Sequence, residues 1–427
     1  MLTSVETDLV ARDPAIPGLA TVLDPDAFLA ALRQATPGAD LRAAQITYLR
    51  YKPGKFCRAA YHLSVAGMET DLDVRACRPA DVDSWLEGGH SVLPGPLGAG
   101  RAVLEDCAVV WTAFPNDLAL PELARLTNAA ERGRVLRELL PERPDLWQAE
   151  LRCLRYRPER RYVAELLSAE RTRAIVKCYT RKAYLRARHN ACAFQPGDRL
   201  RVARLLGGSD RGRLLAFEWL HGRVLTDLWG APGMNREVVV ATGAALAALH
   251  DQHPDGLPEW TCEAAVADLF TVSSEIGFII PDLAGRADEL ARRLQGLLEG
   301  QVASHVPVHG DFSANQVLVD GASAAIIDLD WAGYSDAADD LGNFLAQVER
   351  FALRGDLDRS RAEWLRDALL EGYSRVGGRE MPGRVCLYTA AQLFRRARFP
   401  FRTREPDWPR RAEALLDRAA AMLDTLG

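Results

Sequence analysis

The stretch HGDFSANQVLVDGASAAIIDLD, residues 309–330, decides the fold of this chain. Two apolar runs, 316–319 and 324–327, flank the dipeptide Asp320-Gly321, which is a strong signal for a β-hairpin. Carboxylates stand at both outer ends of the predicted hairpin: Asp311, Asp328 and Asp330. Because a hairpin brings its outer ends together, we expect a divalent-cation or acid/base site there.

The spacing of these residues matches the catalytic loop of the protein kinases. In H-R-D-x-x-x-x-N an Asp handles the substrate hydroxyl, an amide five residues later binds Mg²⁺, and a second Asp completes the metal site. Here His309-Gly310-Asp311 is followed five residues later by Gln316, and Asp328 follows the second apolar run. Solvated aspartates on a surface hairpin would explain an isolated HxD, but the combined spacing favours the kinase-like interpretation.

This pattern resembles the aminoglycoside phosphotransferase family, relatives of the protein kinases whose signature is HGDxxxxN, a strand and a metal-binding Asp. The segment from Asp336 to Asp340 is similar to the GDPAxDL motif of that family. The resemblance implies an α+β, protein-kinase-like fold of two lobes, with ATP and Mg²⁺ as cofactors and a small-molecule hydroxyl as acceptor. It implies Asp311 as the catalytic residue, and Gln316 and Asp328 as the metal ligands.

The metal-binding amide departs from the family pattern. Gln316 stands where the family has Asn, and Asn315 is adjacent. Maltokinase-like members of the superfamily resemble this chain in having Gln there. Both amides offer a carbonyl oxygen to a hard cation. The spacing to the following apolar run favours Gln316, and Asn315 remains the alternative.

Candidate nucleotide-binding residues precede this region. Lysine is scarce in the chain, and Lys177 ends an apolar run in the manner of the V-A-I-K lysine that pairs the α/β-phosphates; the alternative is a snorkelling lysine at a strand edge. The run 214–220 resembles the hinge of the family, in which Glu218 would present its main chain to adenine. The turn 156–161 stands where a Gly-rich loop belongs but contains no glycine, and the helix predicted at 181–194 contains no acid to pair with Lys177.

A sequence repeat predicts three domains. The Leu-Arg-Tyr-basic-Pro core at 49–53 recurs at 154–158, and each copy reaches an apolar strand that ends in a basic residue, Arg75 or Lys177. A repeat of this length indicates duplication of a small domain, here a β-rich N-lobe. We expect an N-lobe-like cap domain that does not bind nucleotide, a nucleotide-binding N-lobe, and a mostly helical C-lobe with the catalytic and metal site: residues 1–140, 141–222 and 223–427.

Helical periodicity predicts most of the C-lobe. The predicted helices are 237–250, 282–300, 339–350, 360–376, 382–398 and 409–426. His250, at the end of the first of them, is predicted to be structural rather than catalytic. Residues 399–408 are predicted to be a Pro-interrupted loop, and residues 1–40 a loop-rich start with one short helix through 28–34.

Composition narrows the class of protein. A hydrophobic content of 48%, a charged content of 26% and a net charge of −5 are ordinary for a soluble globular protein. We expect no membrane partner, because no apolar run is long enough for a span, and a cytoplasmic location, because a signal peptide and paired cysteines are not evident. We expect no nucleic-acid partner, because arginines are interleaved with acids. Nothing in the sequence indicates the oligomeric state.

These observations predict an ATP-dependent O-phosphotransferase of a small hydroxylated molecule such as a sugar, an aminoglycoside or a related metabolite. The alternative is a nucleotide-binding pseudokinase or regulatory module without turnover, which the absent Gly-rich loop and helix acid favour. The sequence does not identify the acceptor.

Overall fold

Two five-stranded antiparallel sheets follow each other along the chain, and a mostly helical lobe follows them. The computed structural model describes residues 1–86, 92–231, 234–300, 304–377 and 382–426. Among these residues, no helix is long and apolar enough to cross a membrane.

The first unit, residues 1–116, forms one sheet with the strand order β1-β2-β3-β5-β4. Its elements are α1 (Ser4–Arg12), α2 (Leu19–Leu23), α3 (Pro25–Ala35), β1 (Leu41–Lys52), β2 (Phe56–Val65), β3 (Met68–Cys77), α4 (Val82–Leu86), β4 (Arg101–Leu104) and β5 (Val109–Ala113).

The second unit, residues 117–222, forms a sheet with the order β6-β7-β8-β11-β10, and its short strand β9 pairs with the C-lobe instead. Its elements are α5 (Leu123–Thr127), α6 (Ala129–Leu139), β6 (Glu150–Arg157), β7 (Arg161–Leu167), β8 (Arg173–Tyr179), α7 (Arg181–Asn190), β9 (Arg201–Val202), β10 (Leu205–Ser209) and β11 (Leu214–Glu218).

The two units share one topology, which confirms that the extra N-terminal domain resembles a duplicated N-lobe. In both, helices precede a three-stranded meander, three of them in the first unit and two in the second. A helix follows the third strand, and a final hairpin completes the sheet with its last strand next to the third. The register agrees as well: Arg75 lies two residues before the partner of the first residue of β2, and Lys177 lies two residues before the partner of the first residue of β7.

The turn of the first hairpin is stabilised identically in both units. In the first unit the Asp13 carboxylate accepts hydrogen bonds from the Tyr51 hydroxyl at 2.6 Å and the Gly54 N–H at 2.9 Å. In the second unit the Asp117 carboxylate accepts from the Tyr156 hydroxyl at 2.9 Å and the Glu159 N–H at 2.7 Å. Gly54 and Glu159 both have a positive φ, of 66° and 47°. The duplication therefore includes the device that fixes the hairpin turn.

The C-lobe is mostly helical, with short strands near its junction with the second unit. Its elements are β12 (Arg223–Val224), α8 (Arg236–His250), α9 (Cys262–Ile279), α10 (Ala284–Glu299), β13 (Val306–Val308), β14 (Val317–Asp320), β15 (Ser323–Ile326), β16 (Gly333–Ser335), α11 (Ala337–Arg354), α12 (Arg359–Gly377), α13 (Pro382–Arg396), α14 (Phe399–Arg402) and α15 (Trp408–Asp424).

Three large apolar clusters stabilise this arrangement. One lies between the second sheet and α5 and α6, and another surrounds α8, α11, α12 and the β14–β15 hairpin. The third is shared: buried side chains of the first unit form one continuous cluster with α9, α10, α13 and α15 of the C-lobe. Burial of apolar surface is the main favourable contribution to folding, so the first unit is fixed to the C-lobe.

Several predicted elements differ from the structure. Residues 1–40 contain three helices rather than one, and the first, α1, begins with a capping box in which the Thr3 hydroxyl and the Glu6 carboxylate cap each other's backbone N–H. Helix α9 was not predicted, and α14 forms a single turn inside the predicted loop 399–408. The hairpin turn is shifted by one residue, because Asp320 pairs with Ser323.

The packing of α5 and α6 indicates where the first unit ends and the second begins. Both helices lie within the predicted domain 1–140, but their apolar side chains pack on the second sheet. We therefore propose that the second unit begins at Asp117, with the C-lobe at 223–427.

Candidate active site

A tight loop connects β13 to β14 and contains Asp311. Gly310 has φ 77°, and a Cβ atom there would lie 2.3 Å from the Trp331 carbonyl oxygen. His309 is fully buried, and its Nε2 is 2.9 Å from the Ile327 carbonyl oxygen, which ties the loop to the end of β15. Each residue of the HGD sequence thus has a structural reason. His309 is buried, Gly310 has no room for a side chain, and Asp311 provides a carboxylate.

Helix α11 positions this loop with three buried polar side chains on one helical face. The Asp340 carboxylate accepts from the N–H groups of His309 at 2.6 Å and Gly310 at 3.0 Å. Three and seven residues later on the helix, the Asn343 amide donates to the Phe312 carbonyl at 2.8 Å, and the Gln347 side-chain oxygen accepts from the Ala314 N–H at 2.9 Å. The spacing places these side chains on one face.

His250 supports the same helix. Its Nε2 lies 3.1 Å from the Asp340 carboxylate and its Nδ1 lies 2.9 Å from the Tyr373 hydroxyl, with the ring 1% exposed. The buried position agrees with the structural role predicted for this histidine.

Asp311 is accessible to solvent, in the cleft bounded by Asp328 of the C-lobe and Arg161 of the second unit, both of which act electrostatically on its carboxyl. Enclosure by the surrounding protein raises the pKa of the Asp311 carboxyl, while His309 and Arg396 oppose that rise. Arg396 donates to the Asn343 side-chain oxygen at 2.6 Å. An aspartate with a raised pKa in an open cleft is suited to accept a proton.

Asp328 follows β15 in a left-handed backbone conformation, with φ 68°. Its Oδ1 lies 2.7 Å from the Lys177 ammonium and 2.6 Å from the Arg161 guanidinium. Burial alone would raise the pKa of the Asp328 carboxyl, but these two cations hold that pKa well below its usual range. Asp328 is therefore a carboxylate kept in its anionic form, and its oxygen faces the second unit.

Asp330 provides an acidic partner for Lys177 that α7 lacks. Its carboxylate lies 3.3 Å from the Lys177 ammonium and 2.8 Å from the Arg161 guanidinium, and it accepts from the Tyr179 hydroxyl at 3.2 Å. Burial, with the adjacent charge of Asp328, raises the pKa of the Asp330 carboxyl. The C-lobe thus supplies the charge that a helix glutamate supplies in the protein kinases.

Helix α7 contacts the same segment by hydrogen bonds to its backbone. The Arg186 guanidinium donates to the Asp330 carbonyl at 2.9 Å, and the Asn190 amide donates to the Ala332 carbonyl at 3.0 Å. The Arg186 guanidinium also lies 3.3 Å from the centre of the Trp331 indole ring. Helix α7 therefore positions the aspartates although it contains no acid.

The two candidate metal amides differ in their surroundings. The Asn315 side-chain oxygen accepts from the Thr226 hydroxyl at 2.8 Å. Gln316 has no side-chain partner among the described residues, and its carbonyl accepts from the Ile327 N–H at 2.9 Å, next to Asp328. This geometry favours Gln316, as the spacing does.

The donor set suits Mg²⁺. No cluster of three His, Cys, Asp or Glu side chains in the described part of the chain could hold a metal. Mg²⁺ does not need one, because it keeps several waters and binds one or two carboxylates together with substrate phosphates. Asp328 and Gln316 are the residues that could offer oxygen donors to such a site.

Glu218 lies at the end of β11, away from the carboxylates. Its N–H already donates to the Arg204 carbonyl at 2.9 Å, and its side chain accepts from the Arg204 N–H at 3.1 Å. Only the Glu218 carbonyl would therefore be available to an adenine ring.

Sequence reasoning did not single out Arg161 or Tyr179, and it placed Asp330 at this site without identifying it as the partner of Lys177. Arg161 and Tyr179 lie opposite each other on β7 and β8, two residues from the Val163–Lys177 pair and on the same face of the sheet. The alternation of side chains along a strand was therefore the sequence signal that could have placed Arg161 and Tyr179 beside Lys177. The contacts themselves join residues about 150 positions apart and depend on how the lobes pack.

The fold and this cleft define a kinase-like phosphotransferase. The model of the phosphotransferase enzyme family matches residues 160–388, which is 229 of the 427 residues, so the chain belongs to that family. It is an enzyme that transfers a phosphoryl group to a small-molecule hydroxyl. No curated protein sequence matches the chain.

Solved structures match the chain at low sequence identity. A choline kinase from Cryptosporidium parvum Iowa II matches with TM-score 0.51 and 13% identity over 70% of this chain and 96% of that chain. A choline/ethanolamine kinase family protein from Mesorhizobium loti has TM-score 0.48 and 16% identity, covering 70% and 95%. A macrolide 2'-phosphotransferase from Brachybacterium faecium has TM-score 0.43 and 18% identity, covering 62% and 92%. The first of these supports the kinase-like fold.

Proposed function

We propose that this protein is an ATP-dependent O-phosphotransferase that phosphorylates a small hydroxylated molecule such as a sugar, an aminoglycoside or a related metabolite. One observation carries the proposal. His309, in the Asp311 loop, places its Nε2 2.9 Å from the carbonyl oxygen of Ile327, next to Asp328, and Lys177 of the second unit lies 2.7 Å from Asp328.

Asp311 orients the acceptor hydroxyl and accepts its proton. The hydroxyl oxygen forms the new bond to the γ-phosphorus of ATP, the bond between that phosphorus and the β–γ bridging oxygen breaks, and ADP leaves. Phosphoryl transfer requires little covalent chemistry from the protein, so positioning and charge stabilisation supply most of the rate. The raised pKa of Asp311 brings its basicity closer to that needed at neutral pH.

Asp328 and Gln316 hold the metal ion. When bound, Mg²⁺ neutralises charge on the β- and γ-phosphates. Asp328 contributes the anionic oxygen, kept ionised by its cationic neighbours, and Gln316 contributes a neutral oxygen. The two residues flank the β14–β15 hairpin: Gln316 directly precedes β14, Asp328 follows β15, and the pairing of Val317 with Ile326 brings these ends together.

Lys177 and Arg161 bind the phosphates of ATP. Both already lie at the cleft, on the same face of the second sheet. The β6–β7 turn has no glycine, so the phosphates are bound by side-chain charge instead of by the N–H groups of a Gly-rich loop. Glu218 contributes its carbonyl to adenine.

An acceptor screen tests the proposal. The full chain with MgATP is incubated with neutral sugars, phosphorylated sugars, aminoglycosides and amino alcohols, ADP release is measured, and every hit is examined by mass spectrometry. We expect ADP release to depend on one class of acceptor, with one phosphoryl group added to it. MgATP binding without ADP release for any acceptor would instead support a nucleotide-binding module without turnover.

A further inference from the structure

The β6–β7 hairpin lies against the face of the first unit that corresponds to the nucleotide face of the second. Glu159, at the hairpin turn, places its Oε2 2.8 Å from the Arg75 guanidinium and 2.9 Å from the Arg58 guanidinium. Arg75 is the register counterpart of Lys177. The first unit therefore uses its equivalent of the nucleotide lysine to bind the hairpin of its own duplicate.

These contacts are buried, and each arginine has further support. The side chains of Arg58 and Arg75 are 9% and 6% exposed. Arg58 also pairs with Asp73 at 2.8 Å, and the Arg75 guanidinium lies 3.5 Å from the centre of the Trp85 ring. Within the described chain, Glu159 is the one carboxylate paired with Arg75. Removing one partner of a buried ion pair leaves an uncompensated charge, so this contact is costly to break.

The cavity that the described residues form on this face of the first unit is small. The cavity beside Arg75 is bounded by Asp73, Trp85, Asp117 and Glu159 and has about 20 Å³ of free space. That is enough for a water molecule. The hairpin therefore occupies the position that a nucleotide would need.

The first unit is also fixed to the C-lobe. Besides the shared apolar cluster, the buried Glu6 carboxylate pairs with Arg404 and accepts from the Trp408 indole N–H at 3.3 Å. The Arg12 side chain donates to backbone carbonyls at the end of α9. Any part of the second unit that the first unit binds is thereby positioned relative to the catalytic loop.

We propose that Glu159, Arg58 and Arg75 form a clamp through which the first unit holds the β6–β7 hairpin over the phosphates of ATP. Glu159 is a positioning residue that acts through Arg161, two residues later, whose guanidinium contacts Asp328 at 2.6 Å. In the first unit, this role replaces nucleotide binding. The clamp rests on the proposed function, because it needs MgATP under the hairpin.

The variant Glu159→Gly tests the clamp with little backbone strain. Glycine accepts a positive φ readily, and the first unit has Gly54 at the equivalent turn position. We expect the KM for MgATP to rise about tenfold, the scale of a lost charged hydrogen bond, with the KM for the acceptor changed less than about twofold. Glu159→Gln keeps a hydrogen-bond acceptor for Arg75 and should give an intermediate KM for MgATP.

A second variant and a control separate the clamp from general stability. Arg75→Met leaves the Arg58–Glu159 pair in place and should raise the KM for MgATP less than Glu159→Gly does. The double variant should be no worse than Glu159→Gly alone, because Glu159→Gly already removes the contact with Arg75. Glu69→Ala, in an exposed ion pair with His62 on the same sheet, should leave the KM for MgATP unchanged.

The KM for MgATP and the Tm together distinguish the clamp from a contact that only stabilises the fold. A lowered Tm with an unchanged KM for MgATP in Glu159→Gly and Arg75→Met would overturn the clamp while leaving the proposed function intact. If Glu159→Gly does not fold, Glu159→Gln and Arg75→Met decide by the same criterion. If the unaltered protein binds no MgATP in calorimetry, the proposed function fails first, and the clamp fails with it.

Discussion

Two aspartates in one cleft have pKa values displaced in opposite directions by their neighbours. Enclosure raises that of Asp311, whereas Lys177 and Arg161 lower that of Asp328 despite its burial. The first is thereby suited to exchange a proton, and the second to remain an anion at any physiological pH. The same residue type is suited to two roles because its charged neighbours differ.

The raised pKa of Asp311 predicts the acid limb of the pH profile. Asp311 accepts a proton only when it is ionised, so kcat/KM should fall as pH drops through its raised pKa, above the value of about 3.9 of a free aspartate. Arg396→Gln removes a cation that lowers this pKa and should move the limb to higher pH, while Arg396→Lys should leave it near its original position. A limb that is identical in all three proteins would show that another group titrates.

Asp328 is predicted to be needed for nucleotide binding. Asp328→Asn removes the negative charge but suits the left-handed backbone there, since Asn adopts positive φ more readily than most residues. We expect MgATP affinity, measured by calorimetry, to fall by at least about tenfold. Asp320→Asn, at an exposed position on the same hairpin, is the control. Unchanged affinity in Asp328→Asn would place the metal elsewhere, with Asp330 the next candidate.

At the scale of elements, α11 acts as the support of the catalytic loop. Asp340, Asn343 and Gln347 contact the loop backbone from one helical face. The contribution of α11 is to keep Asp311 in one position, and this makes it testable by substitution.

Gln347→Met is predicted to lower both stability and turnover. It leaves the Ala314 N–H buried without an acceptor, which costs about 1–3 kcal/mol. We expect a lower Tm, together with a fall in kcat that exceeds any change in the KM for MgATP. Gln295→Met, on the exposed side of α10, should change neither quantity. A kcat equal to that of the unaltered protein would show that the loop does not depend on α11.

The elements that the sequence predicted are those with local signals. The β14–β15 hairpin has a turn glycine at Gly321 with φ 59°, and α8 and α11 have long apolar periodicity. Helix α1 also had a local signal, the Thr3/Glu6 capping box, which was overlooked. Helix α9 contains β-branched residues and a glycine, and it is helical because it packs between the first unit and α10. Tertiary packing overrode propensity there.

The candidate site could be predicted only in part, for a related reason. The spacing of Asp311, Gln316 and Asp328 is local and readable. The partner of Lys177 is not, because the absent helix acid is replaced by Asp330, 153 residues away in sequence. Likewise, the repeat revealed a second N-lobe, but its use of Arg75 to bind Glu159 depends on the packing of the two units.

At the scale of the whole molecule, the first unit and the C-lobe share one apolar core, and they should unfold together. Trp408 is 3% exposed, and the centre of its ring lies 4.9 Å from the centre of the Phe401 ring. Trp408→Ala should cost about 3–5 kcal/mol and lower the Tm of a single cooperative transition in calorimetry. Separate transitions for the first unit and the rest, or an unchanged Tm, would contradict a shared core. Trp364→Ala, at a half-buried position on α12, is the control and should lower the Tm less than Trp408→Ala.

The most direct test of the account is transfer of the labelled γ-phosphoryl group of ATP to the acceptor by the unaltered protein and by Asp311→Asn. We expect Asp311→Asn to bind MgATP with nearly unchanged affinity, since it leaves Lys177, Gln316 and Asp328 in place. Transfer should fall by about 10²–10⁴, the usual scale for general acid/base catalysis. Label reaching the acceptor at a near-normal rate in Asp311→Asn would contradict the assignment of this loop as the catalytic centre.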